Sequence, residues 1–256
     1  MKNDRFPLTC VLAVFLTLVL PFAVFALWDT SLVSSSHRQA AADGLSAEAR
    51  ANPAACTLYV CNHVLDIPIG YSGASESPWT QTSIDEAMLE RTRSALRELH
   101  IAGLLTDAQL AQSLAACTAT DTWQAAAAPG GLIQVSCTIT AKLDEDSYSS
   151  LALDLVLTSA DTPVYFNYQN SRENFSAADA ELLQSYCTLL GLDSFADWQY
   201  PDWGGTVQNF GAAAYSESAQ VYLTANQHSG LTLSAASMPP QDYAVLDTLY
   251  AKGDTP

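Results

Sequence analysis

The fold class is decided by one stretch, residues 133–143, which reads IQVSCTITAKL. Apolar and polar side chains alternate along its whole length. Successive side chains of a β-strand point to opposite faces, so this period of two predicts a strand with one buried face and one solvated face. Half-buried strands of this kind are typical of antiparallel sheets.

More alternating segments follow. Residues 151–157 carry leucine at every second position, and residues 164–168 alternate again after a turn at Asp161. These three segments predict a β-meander. After a less regular segment at 207–215, residues 221–225 and 231–235 alternate on either side of a turn, so a second group of strands is expected.

Helix starts are marked by capping residues. Asn52 is followed by Pro53, which favours a helix there, although a strand over residues 57–64 is an alternative. Three other starts have an acidic residue or glutamine three positions after the cap: Ser83 with Glu86, Thr106 with Gln109, and Ser176 with Asp179. The helices beginning at 83 and 106 should form a helical hairpin, and a last helix is expected from Pro239. The whole pattern predicts an α+β fold in which an antiparallel meander plus a helix occurs twice.

The N-terminal part is of a different kind. Phe6–Trp28 is a run of 23 residues without a charged side chain, and as a helix it would be about 35 Å long, enough to cross a membrane. Lys2 and Arg5 precede it, which predicts a cytoplasmic N-terminus and an extracytoplasmic remainder. The alternative is a signal peptide cleaved after Ala26, which would give a secreted protein.

These patterns divide the chain into three parts. Residues 1–28 are a cytoplasmic tail and transmembrane anchor or a signal peptide, 29–50 are a Ser- and Ala-rich stalk, and 51–256 are an extracytoplasmic α+β domain. That domain could divide into a helical part, 51–128, and a sheet-helix part, 129–256.

The charge balance narrows the range of partners. The formal net charge is −17, from 10 basic and 27 acidic residues. Beyond residue 100 the only basic residues are Lys142, Arg172 and Lys252. Such an acidic surface repels nucleic acid. The expected partners are the membrane, through the N-terminal span, and a protein or cell-envelope component.

Cysteine and histidine patterns indicate no cofactor. Five cysteines follow the apolar run: Cys56, Cys61, Cys117, Cys137 and Cys187. Their number is odd, and the sequence leaves any disulfide pairing open. Cys56, Cys61 and His63 lack a second ligand pair, so neither a metal site nor a cofactor is expected.

Few residues suit catalysis. A nucleophile needs a base and an orienting group, yet beyond the stalk the chain has only His63, His100 and His228. Residues 70–74, GYSGA, lack the second glycine of a nucleophile elbow. The chain is therefore expected to be noncatalytic. The alternative, an envelope hydrolase, would depend on Ser72, His63 or His228.

The segment with most features of a binding site is residues 195–205. Trp198, Tyr200 and Trp203 alternate there with carboxylates such as Asp202. Aromatic faces beside carboxylates suit stacking on a sugar or gripping a peptide. Trp198, Tyr200, Asp202 and Trp203 are the candidate ligand-binding residues. The alternative is a loop whose aromatic rings seal the preceding helix against the sheet.

The layout of short tail, single span, Leu27-Trp28-Asp29 exit, helical segment and sheet-helix units resembles uncharacterised single-pass envelope proteins of Gram-positive bacteria. It also resembles extracytoplasmic regulators of membrane sensor kinases. The resemblance implies a membrane-tethered binding or regulatory domain that acts on an envelope or membrane-protein partner. A carbohydrate or peptide receptor is the alternative.

Overall fold

The computed structural model describes residues 44–65, 67, 69, 78–119, 122–142, 148–171, 180–200, 211–227 and 230–237. The N-terminal run Phe6–Trp28, and with it the predicted membrane helix, lies outside these residues, as does the predicted last helix from Pro239. Within the described ranges, no helix is long and apolar enough to cross a membrane.

Five helices are described. They are α1 (Ala47–Ala51), α2 (Pro53–His63), α3 (Glu86–Ile101), α4 (Asp107–Ala116) and α5 (Ala180–Leu189). Asn52 caps α2 through its side chain, which accepts from the amide of Ala55 at 2.9 Å. The helix over residues 53–63 is therefore confirmed against the alternative strand. Leu45, just before α1, is only 3% exposed, so ordered packing starts there, inside the segment predicted as a stalk.

Eight strands form one antiparallel sheet. They are β1 (Thr80–Thr82), β2 (Trp123–Ala128), β3 (Leu132–Lys142), β4 (Tyr148–Leu157), β5 (Pro163–Asn170), β6 (Ala212–Ser216), β7 (Val221–Asn226) and β8 (Leu231–Ser237). Their order in the sheet is β1-β2-β3-β4-β5-β8-β7-β6. The predicted meander β3-β4-β5 is confirmed. The second group of strands joins it through the β5–β8 pair, so the described chain has an α+β fold around a single sheet.

Helices α2 and α4 contact one face of this sheet. The indole nitrogen of Trp123 donates to the carbonyl of Ala116 at the end of α4, and the hydroxyl of Tyr168 donates to Gln112 of the same helix. Near the other edge, Asn62 of α2 accepts from the amide of Ser237 in β8. Alternate strand residues on this face are buried and form the core, among them Val135, Leu153, Leu155, Phe166, Leu223 and Leu233.

Two expectations about the helical hairpin had different outcomes. The capping box at Thr106 and Gln109 is present, with both reciprocal hydrogen bonds. The predicted box at Ser83 is wrong, because α3 starts at Glu86 and its cap is Asp85, whose carboxylate accepts from the amide of Met88 at 2.8 Å. Aspartate is as favourable as serine at the N-cap position. Asp85 directly precedes the first residue of α3, whereas Ser83 lies two residues earlier.

Strand β2 lies within residues 51–128, the part of the chain suggested as a possible helical subdomain. Its sequence, WQAAAA, contains four alanines, which have low strand propensity. It is held by a six-residue ladder with β3, from Trp123 opposite Cys137 to Ala128 opposite Leu132. A tight turn with positive φ at Gly130 and Gly131 connects the two strands. Tertiary pairing thus overrides the local preference.

Candidate binding surface on the open face of the sheet

The other face of the sheet carries a row of polar side chains. Register places one residue of each of six neighbouring strands side by side. The members of this polar row are Gln124 of β2, Ser136 of β3, Asp154 of β4, Asn167 of β5, Thr232 of β8 and Asn226 of β7. At about 4.8 Å between strands, the row is about 24 Å long. Gln124 is exposed and the other five are partly exposed.

The polar row lies on the face opposite to α2 and α4. The contacts that place α2 and α4 against the sheet involve residues of the buried face, such as Trp123, Tyr168 and Ser237. Side chains alternate between the two faces of a strand, so Asn167 and Thr232 point away from those helices. Thr138 and Gln169 are exposed on this face, whereas Val156, on the same face two residues after Asp154, is only 1% exposed. The face is therefore accessible on the side of Asp154 where Thr138 and Gln169 lie.

Asp154 is the only charged member of the polar row. It lies in β4, with three strands on one side (β3, β2 and β1) and four on the other (β5, β8, β7 and β6). Its carboxylate accepts two hydrogen bonds from the side-chain amide nitrogen of Gln134, at 3.0 and 3.2 Å. Burial raises the pKa of Asp154, and the hydrogen bonds from Gln134 only partly offset this.

Tyr165 borders the same position. It lies in β5 two residues before Asn167, the residue opposite Asp154, and so shares the open face. Burial raises the pKa of Tyr165 to about 12, and the negative charge of Asp154 adds to the effect. The phenol is therefore a neutral hydrogen-bonding group beside the carboxylate at physiological pH.

No basic side chain pairs with Asp154 in the part of the chain that the structure describes. The arginines of α3 are paired elsewhere: Arg91 with Asp161, Arg93 with Glu86 and Glu90, and Arg97 with Glu90. Glu90 lies three residues before Arg93 on the same helix and pairs with it at 3.0 Å. Asp154 thus keeps a partly desolvated negative charge whose hydrogen-bond partner is a neutral amide.

The predicted aromatic site is only partly within the described residues. Trp198 is partly buried, and its indole nitrogen donates to the carbonyl of Leu192 at 3.1 Å, which folds the loop back toward the end of α5. Tyr200 is 48% exposed. Asp202 and Trp203 lie outside the described residues, so the grouping of these four side chains stays a prediction.

Asp197 fixes this loop to the sheet. Its carboxylate accepts from the hydroxyls of Ser216 and Ser218, at 2.7 and 2.6 Å, and from the amide of Ser218 at 2.8 Å. Burial acts to raise the pKa of Asp197, but the hydrogen bonds from Ser218 and Ser216 outweigh it, and the pKa is lowered. Next to it, Gln199 forms a bridge with Tyr215 of β6.

A histidine on which the hydrolase alternative would depend, His63, has a serine neighbour. His63 Nε2 lies 3.1 Å from the hydroxyl of Ser237. That hydroxyl donates to the carbonyl of Gln220 at 3.0 Å, and Ser237 is only 6% exposed. The contact joins α2 to β8. Ser72 and His228 lie outside the described residues.

Cysteine and metal chemistry can be stated for the same part of the chain. Cys56, Cys61, Cys117, Cys137 and Cys187 are free thiols. Burial raises the pKa of Cys117 to about 11 and that of Cys187 to about 12, so these thiols are protonated at neutral pH. Within the described ranges, no group of three or more His, Cys, Asp or Glu residues could hold a metal ion.

Sequence analysis did not identify the polar row. The alternation of residues 133–143 does show that Gln134 and Ser136 lie on the polar face. What it lacks is the register, which places Ser136 opposite Asp154, and Asp154 opposite Asn167. The one available signal was Asp154, an aspartate between leucines in the segment LALDLVL of β4.

Comparisons with protein-family models, with curated proteins and with solved structures found no match to this chain.

Proposed function

We propose that the protein is a noncatalytic, membrane-tethered extracytoplasmic domain that binds a protein or envelope component and modulates a membrane partner. The polar row carries this proposal. It offers six neighbouring polar side chains on one face of the sheet, all of them at least partly exposed. Loops are the usual carriers of function, but a sheet supplies a rigid surface whose side chains are held in place by the ladder, which favours binding.

The tether comes from the N-terminal sequence. In this proposal Phe6–Trp28 spans the membrane, the tail is cytoplasmic, and the domain is outside. The predicted last helix from Pro239 would complete a second sheet-helix unit after β6, β7 and β8. A tethered domain needs only modest affinity for a partner in the same membrane, because the shared surface raises their effective concentration.

Localisation can be tested first. Native cells should be converted to protoplasts and treated with a protease from outside, with a cytoplasmic protein as control. We expect the full chain to fractionate with membranes, to retain residues 1–28 by mass spectrometry, and to lose its domain to the protease. A soluble product starting at Leu27 would contradict the tether, and a protected domain would contradict export.

The binding face is tested by a photoreactive amino acid placed at single positions of the full chain in its native membrane. Thr138 and Gln169 are exposed, and both lie opposite Ala152 on the open face next to Asp154. Glu98 is exposed on α3 and serves as the control on the helical side. Adducts of the same discrete mass from positions 138 and 169, but not from 98, would support the proposal. Adducts only from 98, or none from the open face, would contradict it.

The receptor alternative has one supporting observation, the exposed ring of Tyr200 beside the half-buried Trp198. A sugar could stack on such a ring. Quenching of tryptophan fluorescence by cell-wall fragments, lost in a folded Trp203→Ala variant, would favour this function. No response to any fragment would count against it.

A further inference from the structure

We infer that the partner places the ammonium group of a lysine side chain on Asp154, at the centre of the polar row. This rests on the proposed function and specifies the chemistry of the same face.

Charge complementarity favours a cationic group on the partner. The protein has a formal net charge of −17, and the described strands contribute Asp154 as the charged member of the row. In the described part of the chain, Arg91, Arg93 and Arg97 pair with carboxylates elsewhere, so none of them neutralises Asp154. A carboxylate partly withdrawn from water is stabilised by a positive charge brought by a ligand, since a half-buried charge without a counter-ion is costly.

The shape of the cation favours lysine over arginine. The amide nitrogen of Gln134 lies within hydrogen-bond distance of both carboxylate oxygens, at 3.0 and 3.2 Å. A guanidinium group binds a carboxylate best with two parallel N–H donors directed at the two oxygens. Gln134 already occupies that approach. An ammonium group is a compact charge that binds from any open direction, so lysine fits better than arginine.

The groups beside the carboxylate can accept further hydrogen bonds from an ammonium group. An ammonium group has three donors. Asn167 lies directly opposite Asp154, and its side-chain oxygen accepts from the hydroxyl of Thr232 at 3.0 Å. Ser136 lies opposite Asp154 on the other side, and the neutral phenol of Tyr165 is diagonal to it. These oxygen atoms can accept the remaining ammonium donors.

The test is selection from a random heptapeptide library on the full chain in nanodiscs. Three proteins are compared: the wild type, Asp154→Asn, and Asp193→Asn as a control. Asp193 is an exposed aspartate after α5, so both variants lose one charge. A protein of charge −17 attracts basic peptides nonspecifically, and that attraction is nearly equal in the two variants. Only enrichment that depends on Asp154 is informative.

We expect lysine to be enriched with the wild type and Asp193→Asn but not with Asp154→Asn. The best peptide should bind Asp154→Asn about tenfold more weakly, and changing its lysine to glutamine should weaken wild-type binding equally with no further loss in the variant. Equal lysine enrichment with all three proteins, enrichment of arginine alone, or no basic enrichment would overturn the inference. If positions 138 and 169 still crosslink a partner while Asp154→Asn retains its affinity, the inference fails and the proposed function stands.

Discussion

Gln134 donates its side-chain amide to both carboxylate oxygens of Asp154, at 3.0 and 3.2 Å, across two neighbouring strands. The residues directly opposite each other are Gln134 with Val156 and Ser136 with Asp154, so this contact is diagonal. A single neutral amide does not compensate fully for the water that the carboxylate loses. The pKa of Asp154 accordingly lies above its ordinary value, which makes the charged form a cost to the folded state.

Asp154→Asn should stabilise the protein at neutral pH. A raised pKa in the folded state means that the charge destabilises the fold once the pH exceeds that pKa, and not below the unfolded pKa. The variant should therefore gain about 1 kcal/mol at pH 7, or about 2–4 °C in Tm, and nothing at pH 3. Thermal unfolding of the full chain at both pH values measures this. A lower Tm at pH 7 would show that the carboxylate is well compensated and would contradict the prediction.

Gly230→Ala should weaken the junction between the two groups of strands. An added Cβ would clash with the backbone oxygen of Tyr168, and that oxygen belongs to β5, which pairs with β8. Backbone cannot move aside as a side chain can, so we expect a loss of about 3 kcal/mol, measured by urea unfolding.

Gly103→Ala is the matched control for that substitution. Gly103 has φ +76° but nothing within 4 Å of an added Cβ. Gly103→Ala should therefore cost about 1 kcal/mol of unfolding free energy through backbone conformation alone, without a steric clash. The prediction for Gly230 is contradicted if Gly230→Ala loses no more stability than Gly103→Ala.

Asp197→Ala should release the loop that contains Trp198. Three hydrogen bonds from Ser216 and Ser218 end on this carboxylate, and bonds to a charged group contribute more than neutral ones, so a loss of about 2 kcal/mol is expected at pH 7. Because the folded pKa is lowered, this contribution is present above the ordinary value of 3.8 and is lost as the pH falls through the folded pKa.

The measurement is the difference in unfolding free energy between wild type and Asp197→Ala across the acid range. Asp193→Ala removes a charge from the same loop at an exposed position and should stay within about 0.5 kcal/mol of wild type. A difference that does not shrink on acidification would mean that the carboxylate's charge is unimportant for this anchor.

The strands and helices were largely predictable because the spacing of apolar residues along a strand differs from that along a helix. The alternation from Ile133 onward, and the Thr106 and Gln109 box, each depend on side chains a few positions apart. Strand β2 was not predictable in this way, because its alanines carry no strand preference and its stability comes from pairing with β3. The same difficulty explains the Ser83 cap, since Asp85 competes for the same role two residues later.

The candidate site was less predictable than the fold. The aromatic loop can be recognised in the sequence because it is rich in tryptophan and tyrosine, among them Trp198. A flat binding face consists of ordinary polar residues, and only strand register brings Ser136, Asp154 and Asn167 side by side. Register depends on turn lengths and on pairing across the sheet, so a short window of sequence does not contain it.

Trp198→Phe separates a structural role of the aromatic loop from a binding role. The change keeps a large apolar ring but removes the indole N–H that donates to the carbonyl of Leu192. We expect a loss of about 1 kcal/mol of unfolding free energy, measured by urea unfolding of the full chain. Tyr200→Ala is the control, because its ring is 48% exposed and should contribute less than about 0.5 kcal/mol. If Trp198→Phe leaves stability unchanged while a cell-wall fragment no longer binds, the ring serves a ligand and the receptor function is favoured over the open face.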